Sequence, residues 1–251
     1  MYKIDLNCDL GESYGAYHLG MDEEIIPLIS SANVACGFHA GDFNTMAKTA
    51  QLCAASGVSM GAHPGFPDLQ GFGRRNMTLS PAEVQNLITY QVGALSAFCR
   101  SAGIRLRHVK PHGALYNMAA KDPALARAIC QGIYSFDPSL ILLALSGSEM
   151  LKQAREIGMP CAAEVFADRA YEDDGTLVAR SKPGAMITNE DEAVARVIRM
   201  IVEHRVTSIN GKEIEIRPDS VCVHGDSAKA LLFVKKIRAA LEAEGICIQS
   251  L

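Results

Sequence analysis

Apolar residues along the chain follow two alternating patterns, short continuous runs and longer stretches with helical spacing. The clearest helix begins after Ser80, where Pro81 takes the first helical position and Glu83 completes a capping box. Apolar side chains at helical spacing continue as far as Phe98, and Gly103 marks the end of the helix. This stretch therefore predicts one long helix with an apolar face.

The same unit recurs along the chain: a helix ends at a glycine, and an apolar run follows it. Comparable helices are predicted before Gly57, Gly158 and Gly245, and Asp122 and Asn189 are predicted to begin two more. The apolar runs predict strands at residues 3–8, 32–36, 58–63, 105–110, 140–145, 161–166 and 221–224, with a further short strand at 246–249. Strands that alternate with helices form parallel βαβ units.

A β/α barrel is the fold class that this order favours. Seven or eight parallel strands within 251 residues is the number expected of such a barrel. Residues 206–217 break the pattern, because Asn210 and Gly211 lie between two alternating runs and predict an antiparallel hairpin. The sequence therefore predicts one α/β domain, residues 1–251, formed by a parallel β/α barrel with an appended β-hairpin.

Composition and charge narrow the function classes. The formal net charge is −4, which argues against a nucleic-acid surface, since such a surface needs clustered positive charge. No apolar run approaches the ~18 residues of a membrane span, and the amino terminus lacks the layout of a signal peptide. The eight cysteines are scattered singly without a CxxC pair, a pattern typical of reduced thiols in the cytoplasm.

Titratable side chains gather where the predicted strands end. Ligands of parallel α/β folds bind at the carboxyl ends of the strands, and five of the seven histidines lie at or just past predicted strand ends. These positions hold the candidate site residues, in chain order Asp5, Asn7, Asp9, His39, Asp42, His63, Asp68, Lys110, His112, Glu164, Asp168, Arg169, His224 and Asp226. The arrangement favours an active site at one mouth of the barrel.

Structural alternatives stand beside several of these functional interpretations. Asp5 and Asn7 could form a polar layer that fills the barrel, because both lie on the strand face opposite Ile4. Asp42 precedes a predicted helix and could simply cap it. His63 precedes a Pro-Gly turn and could bond to the backbone of that turn. Each of these residues therefore has a structural role as an alternative to a chemical one.

Lys110 is the residue with the strongest functional indication. It ends an apolar strand and is followed by Pro111 and His112. A position at the end of a buried strand is not on a solvent-exposed face, so solvation does not explain a lysine there. Glu164 lies within another apolar strand and requires a partner, for which Lys110 or Arg169 is suited. The chain has no G-x-x-x-x-G-K-[ST], G-x-G-x-x-G or G-x-S-x-G motif, and thus no recognisable nucleotide cradle or nucleophile elbow.

Eight motifs carry a resemblance to a known family: DLNCDLGE, SANVACGFHAGD, GAHPGFPD, GFGRR, RHVKPHGALYN, EVFADRAY, RSKPGA and VCVHGD. In this order, from residue 5 to residue 226, they resemble the LamB/YcsF family. The resemblance implies a seven-stranded parallel β/α barrel of the glycoside hydrolase/deacetylase type. It also implies cleavage of 5-oxo-L-proline to L-glutamate by a cyclic-amide hydrolase that uses ATP as co-substrate, with two partner subunits, B and C. ATP would then be bound mainly by those partner subunits.

This chemistry assigns expected roles to the candidate residues. We expect Lys110 to stabilise charge that develops on oxygen or phosphate. His39 or His112 would transfer protons, with Asp9 and Glu164 orienting them. The carboxylate of the substrate needs a planar cation, for which Arg75 or Arg169 is suited. The expected substrate-binding residues are thus Asn7, Asp42, Arg75, Arg169, His224 and Asp226.

A divalent metal ion is a second expectation, and two rival functions stand beside the main interpretation. The wider superfamily includes metal-dependent deacetylases that open with paired aspartates, whereas this chain has Cys8 before Asp9. Asp9 could still be a ligand of a divalent metal, together with His63 and His112. The rivals are a non-catalytic lactam-binding subunit and a stand-alone metal-dependent hydrolase of amides or N-acetyl groups. The sequence leaves the oligomeric state open, including a homo-oligomer.

Overall fold

The computed structural model describes residues 2–223 and 228–251, with the side chains of residues 228–230 left aside. The strands are β1 (Lys3–Leu10), β2 (Ser31–Ala35), β3 (Ser59–His63), β4 (Leu106–Val109), β5 (Ile141–Leu145), β6 (Cys161–Phe166), β7 (Arg205–Thr207), β8 (Glu213–Glu215), β9 (Ser220–Val223) and β10 (Cys247–Ile248). The helices are α1 (Asp22–Ile25), α2 (Phe43–Ser56), α3 (Pro81–Ser101), α4 (Gly113–Ala119), α5 (Pro123–Phe136), α6 (Glu149–Glu156), α7 (Glu190–Val202) and α8 (Ala228–Ala243), with a 3₁₀ turn at Ile26–Leu28.

Seven parallel strands close into a barrel in the order β1-β2-β3-β4-β5-β6-β9, and β9 pairs back with β1. The predicted barrel is therefore confirmed. β10 also pairs in parallel with the first residues of β1, so the short last strand is confirmed as an addition outside the closed ring. β7 and β8 form the predicted antiparallel hairpin, with Arg205 opposite Glu215, and the predicted span 206–217 is longer than the paired part.

Local signals in the sequence set the ends of several helices. Ser80 and Glu83 form the predicted capping box of α3, since the Ser80 N–H donates to Glu83 Oε2 at 2.7 Å. Asp42 caps α2 by accepting from the Thr45 N–H at 2.8 Å, which was the structural alternative for this residue. Asp122 caps α5 in the same way. These caps satisfy backbone N–H groups that the helix itself leaves without partners.

The interior of the barrel is polar at its amino-terminal end. Asp5 accepts hydrogen bonds from Ser30 at 2.7 Å, from Ser31 at 2.6 Å and from Ser220. Asn7 donates to Ser220 Oγ at 2.7 Å, so the layer is continuous across β1, β2 and β9. Burial raises the pKa of Asp5, and the hydrogen bonds from these hydroxyl groups offset only part of that rise. The expected polar layer is therefore present, and its groups have hydrogen-bond partners.

Two further features bear on the composition. All eight cysteines carry free thiols, and six of them are buried. Burial raises the pKa of Cys36 and Cys53 to about 12, so these thiols are protonated and unreactive near neutral pH. Among the helices that the structure describes, none combines the length and the hydrophobicity that a membrane span requires.

Gly61 allows a histidine ring to fill the barrel interior. A Cβ at this position would overlap with the His108 ring on the neighbouring strand. We expect Gly61→Ala to lower the free energy of unfolding by about 1–3 kcal/mol, because the buried ring has to move. Gly93→Ala is the matched control: its Cβ would meet only Phe136 at 3.6 Å, and alanine favours helix α3 by up to about 1 kcal/mol. Chemical unfolding measures both, and equal stability for Gly61→Ala and the wild type would show that the ring is loosely held.

Candidate active site

A cavity of about 370 Å³ opens at the carboxyl ends of the barrel strands. It is the expected location, because residues at or just past the ends of strands β1, β3, β4, β5 and β6 form its wall. Its titratable and aromatic side chains are Asp9, Glu12, His63, Arg74, Lys110, His112, Tyr116, Lys121, Phe166, Arg169 and Arg180. Five of the predicted site residues thus share one wall, namely Asp9, His63, Lys110, His112 and Arg169.

Lys110 lies at the floor of the cavity as a buried ammonium group. Its Nζ is 2.8 Å from Asp9 Oδ1 and 2.7 Å from Glu164 Oε1, and the Phe166 ring lies 5.2 Å away. Burial disfavours the charged form, but the negative charges of Asp9 and Glu164 outweigh that cost and hold the pKa of Lys110 well above its usual value. The lysine therefore carries its charge at neutral pH.

The backbone around Lys110 is fixed by the neighbouring strand. Its N–H donates to the Ala62 carbonyl at 2.9 Å, and the His112 N–H donates to the Pro64 carbonyl at 2.8 Å. Gly113 then adopts a φ of 56°, a left-handed conformation that starts α4 directly after the strand. The K-P-H-G sequence thus places an ammonium group and an imidazole at the same end of the barrel.

Glu164 has the buried partner that its position in an apolar strand requires. Besides its ion pair with Lys110, it accepts a hydrogen bond from the Tyr116 hydroxyl at 2.7 Å. Arg169, the other suggested partner of this carboxylate, makes no such contact in the part of the chain that the structure describes. Tyr116 was not predicted, since the sequence pattern makes it one of several apolar positions on α4.

Asn33 is a second residue that the sequence did not reveal. Its Nδ2 donates to Asp9 Oδ1 at 2.9 Å and to Asn7 Oδ1 at 2.7 Å, and its Oδ1 lies 2.7 Å from His108 Nε2. Burial, followed by the charge of Lys110, lowers the pKa of His108 to about 3, so this ring is neutral and donates to Asn33. Asp9 is therefore held by the Asn33 amide, which His108 in turn fixes in place.

Three histidines and a carboxylate form a cluster beside Lys110. One ligand atom from each of Glu12, His39, His63 and His112 lies within 4.8 Å of the others, and all four residues are buried. The His39 and His112 rings stack with their centroids 3.6 Å apart. Burial, then the neighbouring histidines, lowers the pKa of His39, and the same causes lower that of His112 to about 3.

This donor set fits a divalent transition metal, which neutral imidazoles and one carboxylate bind well. Both ring nitrogens of His39 are buried without a hydrogen-bond partner among the described residues. His63 and His112 belong to the predicted metal triad, while Asp9, its third member, is not in the four-residue group and has Oδ2 3.4 Å from His63 Nε2. Glu12 and His39 extend the predicted set.

Several expected substrate-binding residues lie elsewhere. Arg75 is 65% exposed and binds Asp68 through its Nε at 2.8 Å, whereas its neighbour Arg74 lines the cavity. Asp42 caps α2 outside the cavity, and Asn7 lies below the floor in the polar layer. The predictions for His224 and Asp226 fall outside the described residues.

Arg169 is the expected substrate-binding residue that does line the cavity. It is 4% exposed, and its Nη2 donates to the Val178 carbonyl at 2.6 Å. Burial, then the charge of Arg180, lowers the pKa of Arg169 to about 10, so it remains a cation at neutral pH. Its Nε has no hydrogen-bond partner among the described residues. The guanidinium group therefore places a positive charge in the wall of the cavity.

The closed parallel barrel, with a lysine, histidines and carboxylates at the carboxyl ends of its strands, defines a parallel β/α-barrel protein with a polar site at that end of the barrel. The chain belongs to the LamB/YcsF family, whose model matches residues 4–251. It is 66% identical over 246 residues to the A subunit of 5-oxoprolinase from Clostridium beijerinckii, covering 98% of this chain and 96% of that protein. It is 57% identical over 249 residues to the corresponding 5-oxoprolinase protein of Staphylococcus haemolyticus, covering 99% and 100%.

Solved structures agree with this assignment. The crystal structure of a lactam utilization protein from Thermus thermophilus is 47% identical in sequence and superimposes with a TM-score of 0.94, covering 99% of this chain and 100% of that chain. A protein of Enterococcus faecalis that is 14% identical superimposes with a TM-score of 0.57 over 99% of this chain and 97% of that one, which supports the fold alone.

Proposed function

We propose that this protein cleaves 5-oxo-L-proline to L-glutamate, coupled to ATP hydrolysis, as the A subunit of a multi-subunit 5-oxoprolinase in the cytoplasm. Relatives with that name match the full chain at 66% and 57% identity. The observation that carries the chemistry is the Lys110 ammonium, buried at the floor of the cavity between two carboxylates. A fixed positive charge in such a site stabilises negative charge that forms during the reaction.

The reaction needs ATP because a five-membered lactam is a stable amide. Phosphorylation of the lactam oxygen would make the ring carbon electrophilic, so that water adds to it and the C–N bond breaks as the ring nitrogen takes up a proton. The acyl phosphate that results would then be hydrolysed by a second water to L-glutamate and phosphate. The chain has no phosphate-binding loop, so we assign the ATP site mainly to partner subunits B and C. The cavity of this chain would then receive the activated lactam and water.

Lys110 would hold the charge on the lactam oxygen or on its phosphoryl group. The ion pairs with Asp9 and Glu164 fix the ammonium before the substrate arrives, so it does not need to reorganise during the reaction. Tyr116 fixes the second oxygen of Glu164. Glu164 and Tyr116 are thus positioning residues for the lysine.

Asp9 is our candidate for the group that deprotonates water and returns the proton to the ring nitrogen. It lines the cavity, and Lys110 and Asn33 fix its Oδ1. This differs from the expectation that His39 or His112 transfers protons. His39 lies behind His112 and does not line the cavity, and both ring nitrogens of His112 face protein atoms.

Arg169 is our candidate for binding the carboxylate of 5-oxo-L-proline. Its guanidinium is buried in the cavity wall and retains donor capacity at Nε. A charged hydrogen bond of this kind fixes the orientation of the lactam ring. A divalent cation, when bound by the histidine cluster, would supply a Lewis acid that polarises a carbonyl or phosphoryl oxygen.

The isolated chain tests the need for partner subunits. With ATP and 5-oxo-L-proline, we expect it to release L-glutamate at no more than the background rate, because it lacks the phosphate-binding loop. Glutamate is measured by coupled oxidation, with the partner-complemented sample as the positive control. Strong ATP-dependent release by the chain alone would overturn the partner requirement.

The histidine cluster favours one alternative, a stand-alone metal-dependent hydrolase of amides or N-acetyl groups. The same preparation, supplied with divalent metal but no ATP, is therefore assayed against simple amides and N-acetyl sugars. We expect no turnover of either class. If the chain hydrolysed a simple amide or an N-acetyl sugar efficiently without ATP, that compound would replace the lactam as the proposed substrate.

A further inference from the structure

Backbone carbonyls fix the tautomers of two neighbouring histidines. His63 Nδ1 lies 2.7 Å from the Lys110 carbonyl oxygen, and His112 Nε2 lies 2.8 Å from the Phe72 carbonyl oxygen. A carbonyl only accepts, so each of these nitrogens must carry the hydrogen. In a neutral imidazole, the other nitrogen then has a lone pair and no hydrogen. The lone pairs are on Nε2 of His63 and Nδ1 of His112.

These two lone-pair nitrogens face each other at 2.9 Å. Neither can donate to the other while both rings are neutral, so the contact is repulsive without a cation. A proton or a metal ion would remove the repulsion. The pattern of a histidine that donates its second nitrogen to a backbone carbonyl is also the usual arrangement of histidines that bind metals.

Two more donors distinguish a metal ion from a shared proton. The His39 ring is fully buried and has no hydrogen-bond partner at either nitrogen among the described residues. Because it stacks parallel to the His112 ring, it has to turn for its in-plane lone pair to meet an ion that His112 also binds. The Glu12 carboxylate lies in the same group, with all four ligand atoms within 4.8 Å of one another. A shared proton would need only two nitrogens, whereas a third imidazole and a carboxylate complete a coordination shell.

We propose that His63 Nε2, His112 Nδ1, the His39 imidazole and the Glu12 carboxylate bind one divalent transition-metal ion. Three nitrogens and one oxygen suit Zn²⁺, Co²⁺, Ni²⁺, Mn²⁺ or Fe²⁺, and not Ca²⁺ or Mg²⁺, which prefer oxygen ligands. The ligand set adds to the Lewis acid named in the proposed function, but it is argued independently of lactam turnover, because it depends only on the tautomers and the donors. It also replaces the predicted triad, since Glu12 and His39 join the pair and Asp9 remains with Lys110.

The test is metal binding by the purified full chain after chelation and dialysis. We expect about one Co²⁺ or Zn²⁺ per chain by elemental analysis, visible Co²⁺ absorption bands, and a higher melting temperature with metal than without. His39→Gln should weaken binding at least tenfold, and it breaks no hydrogen bond because both ring nitrogens lack partners among the described residues. His63→Gln should do the same, while His18→Gln, outside the cluster, should bind like the wild type.

The outcomes separate the metal from the proton. Loss of the bound ion and of the melting-temperature shift in His39→Gln, with both kept in His18→Gln, would support the site. No bound ion in the wild type, or the same affinity in the wild type and His39→Gln, would overturn it and leave a shared proton between His63 and His112. Circular dichroism confirms folding, and His39→Gln decides the matter if His63→Gln does not fold. Neither readout requires lactam turnover, so failure of the proposed function would not affect it.

Discussion

Lys110→Met is expected to lower kcat for glutamate formation by roughly 10²-fold or more, on the scale of losing one preorganised electrostatic group. Methionine keeps the length and the apolar stem of the side chain but removes the ammonium from between Asp9 and Glu164. The reaction then lacks the positive charge that we assign to the lactam oxygen or its phosphoryl group. Turnover is measured in the reconstituted complex with its partner subunits.

Lys48→Met is the control for this substitution. Lys48 is 65% exposed and pairs with Glu23 on the surface, far from the assigned chemistry, so its loss should leave turnover unchanged. Circular dichroism melts verify that both variants fold, since Lys110→Met also leaves two carboxylates buried without their cation. Near-normal turnover by folded Lys110→Met would mean that the buried lysine is structural.

Asp9→Asn should lower kcat by about 10²–10⁴-fold, the range for a well-placed acid or base. Asparagine keeps the shape of the side chain and can still contact Lys110 and Asn33, but it cannot take a proton from water. KM for the substrate should change little, because the carboxylate of the substrate is assigned to Arg169. The measurement is the dependence of glutamate release on 5-oxo-L-proline concentration in the complex.

Asp137→Asn provides the matched control for Asp9→Asn. Asp137 lies at the surface end of α5 and accepts hydrogen bonds from Ser139, so its substitution should leave both kinetic constants at wild-type values. A rise in KM for Asp9→Asn with kcat unchanged would assign Asp9 to binding. A lower kcat together with an altered KM in Asp137→Asn would instead show that the preparation is unstable.

The barrel could be predicted from the sequence because its signals are local. The capping box at Ser80, the Asn-Gly turn at Gly211 and the apolar runs each act within a few residues. That Glu164 needs a cationic partner followed from a physical requirement of a carboxylate in an apolar strand, and of the two candidates, Lys110 and Arg169, the structure pairs it with Lys110. These predictions did not depend on knowing which distant strands are neighbours.

The remaining site residues depend on contacts between strands that the sequence pattern does not specify. Asn33 on β2 donates a hydrogen bond to Asp9 on the neighbouring strand β1. Glu12 lies in one cluster with histidines from three other segments of the chain. The choice between Arg74 and Arg75 is of the same kind. Tertiary contacts decide it, because Asp68 holds Arg75 while Arg74 turns to the cavity and lies over Phe72.

The most direct test of lactam opening in this cavity is an add-back assay of L-glutamate release from 5-oxo-L-proline and ATP. Partner subunits are assayed by themselves, with the wild-type chain, and with Lys110→Met. We predict rapid release only with the wild-type chain, and release lower by roughly 10²-fold or more with the variant. Equal release by the partner subunits by themselves and by the complex with the wild-type chain would contradict the account.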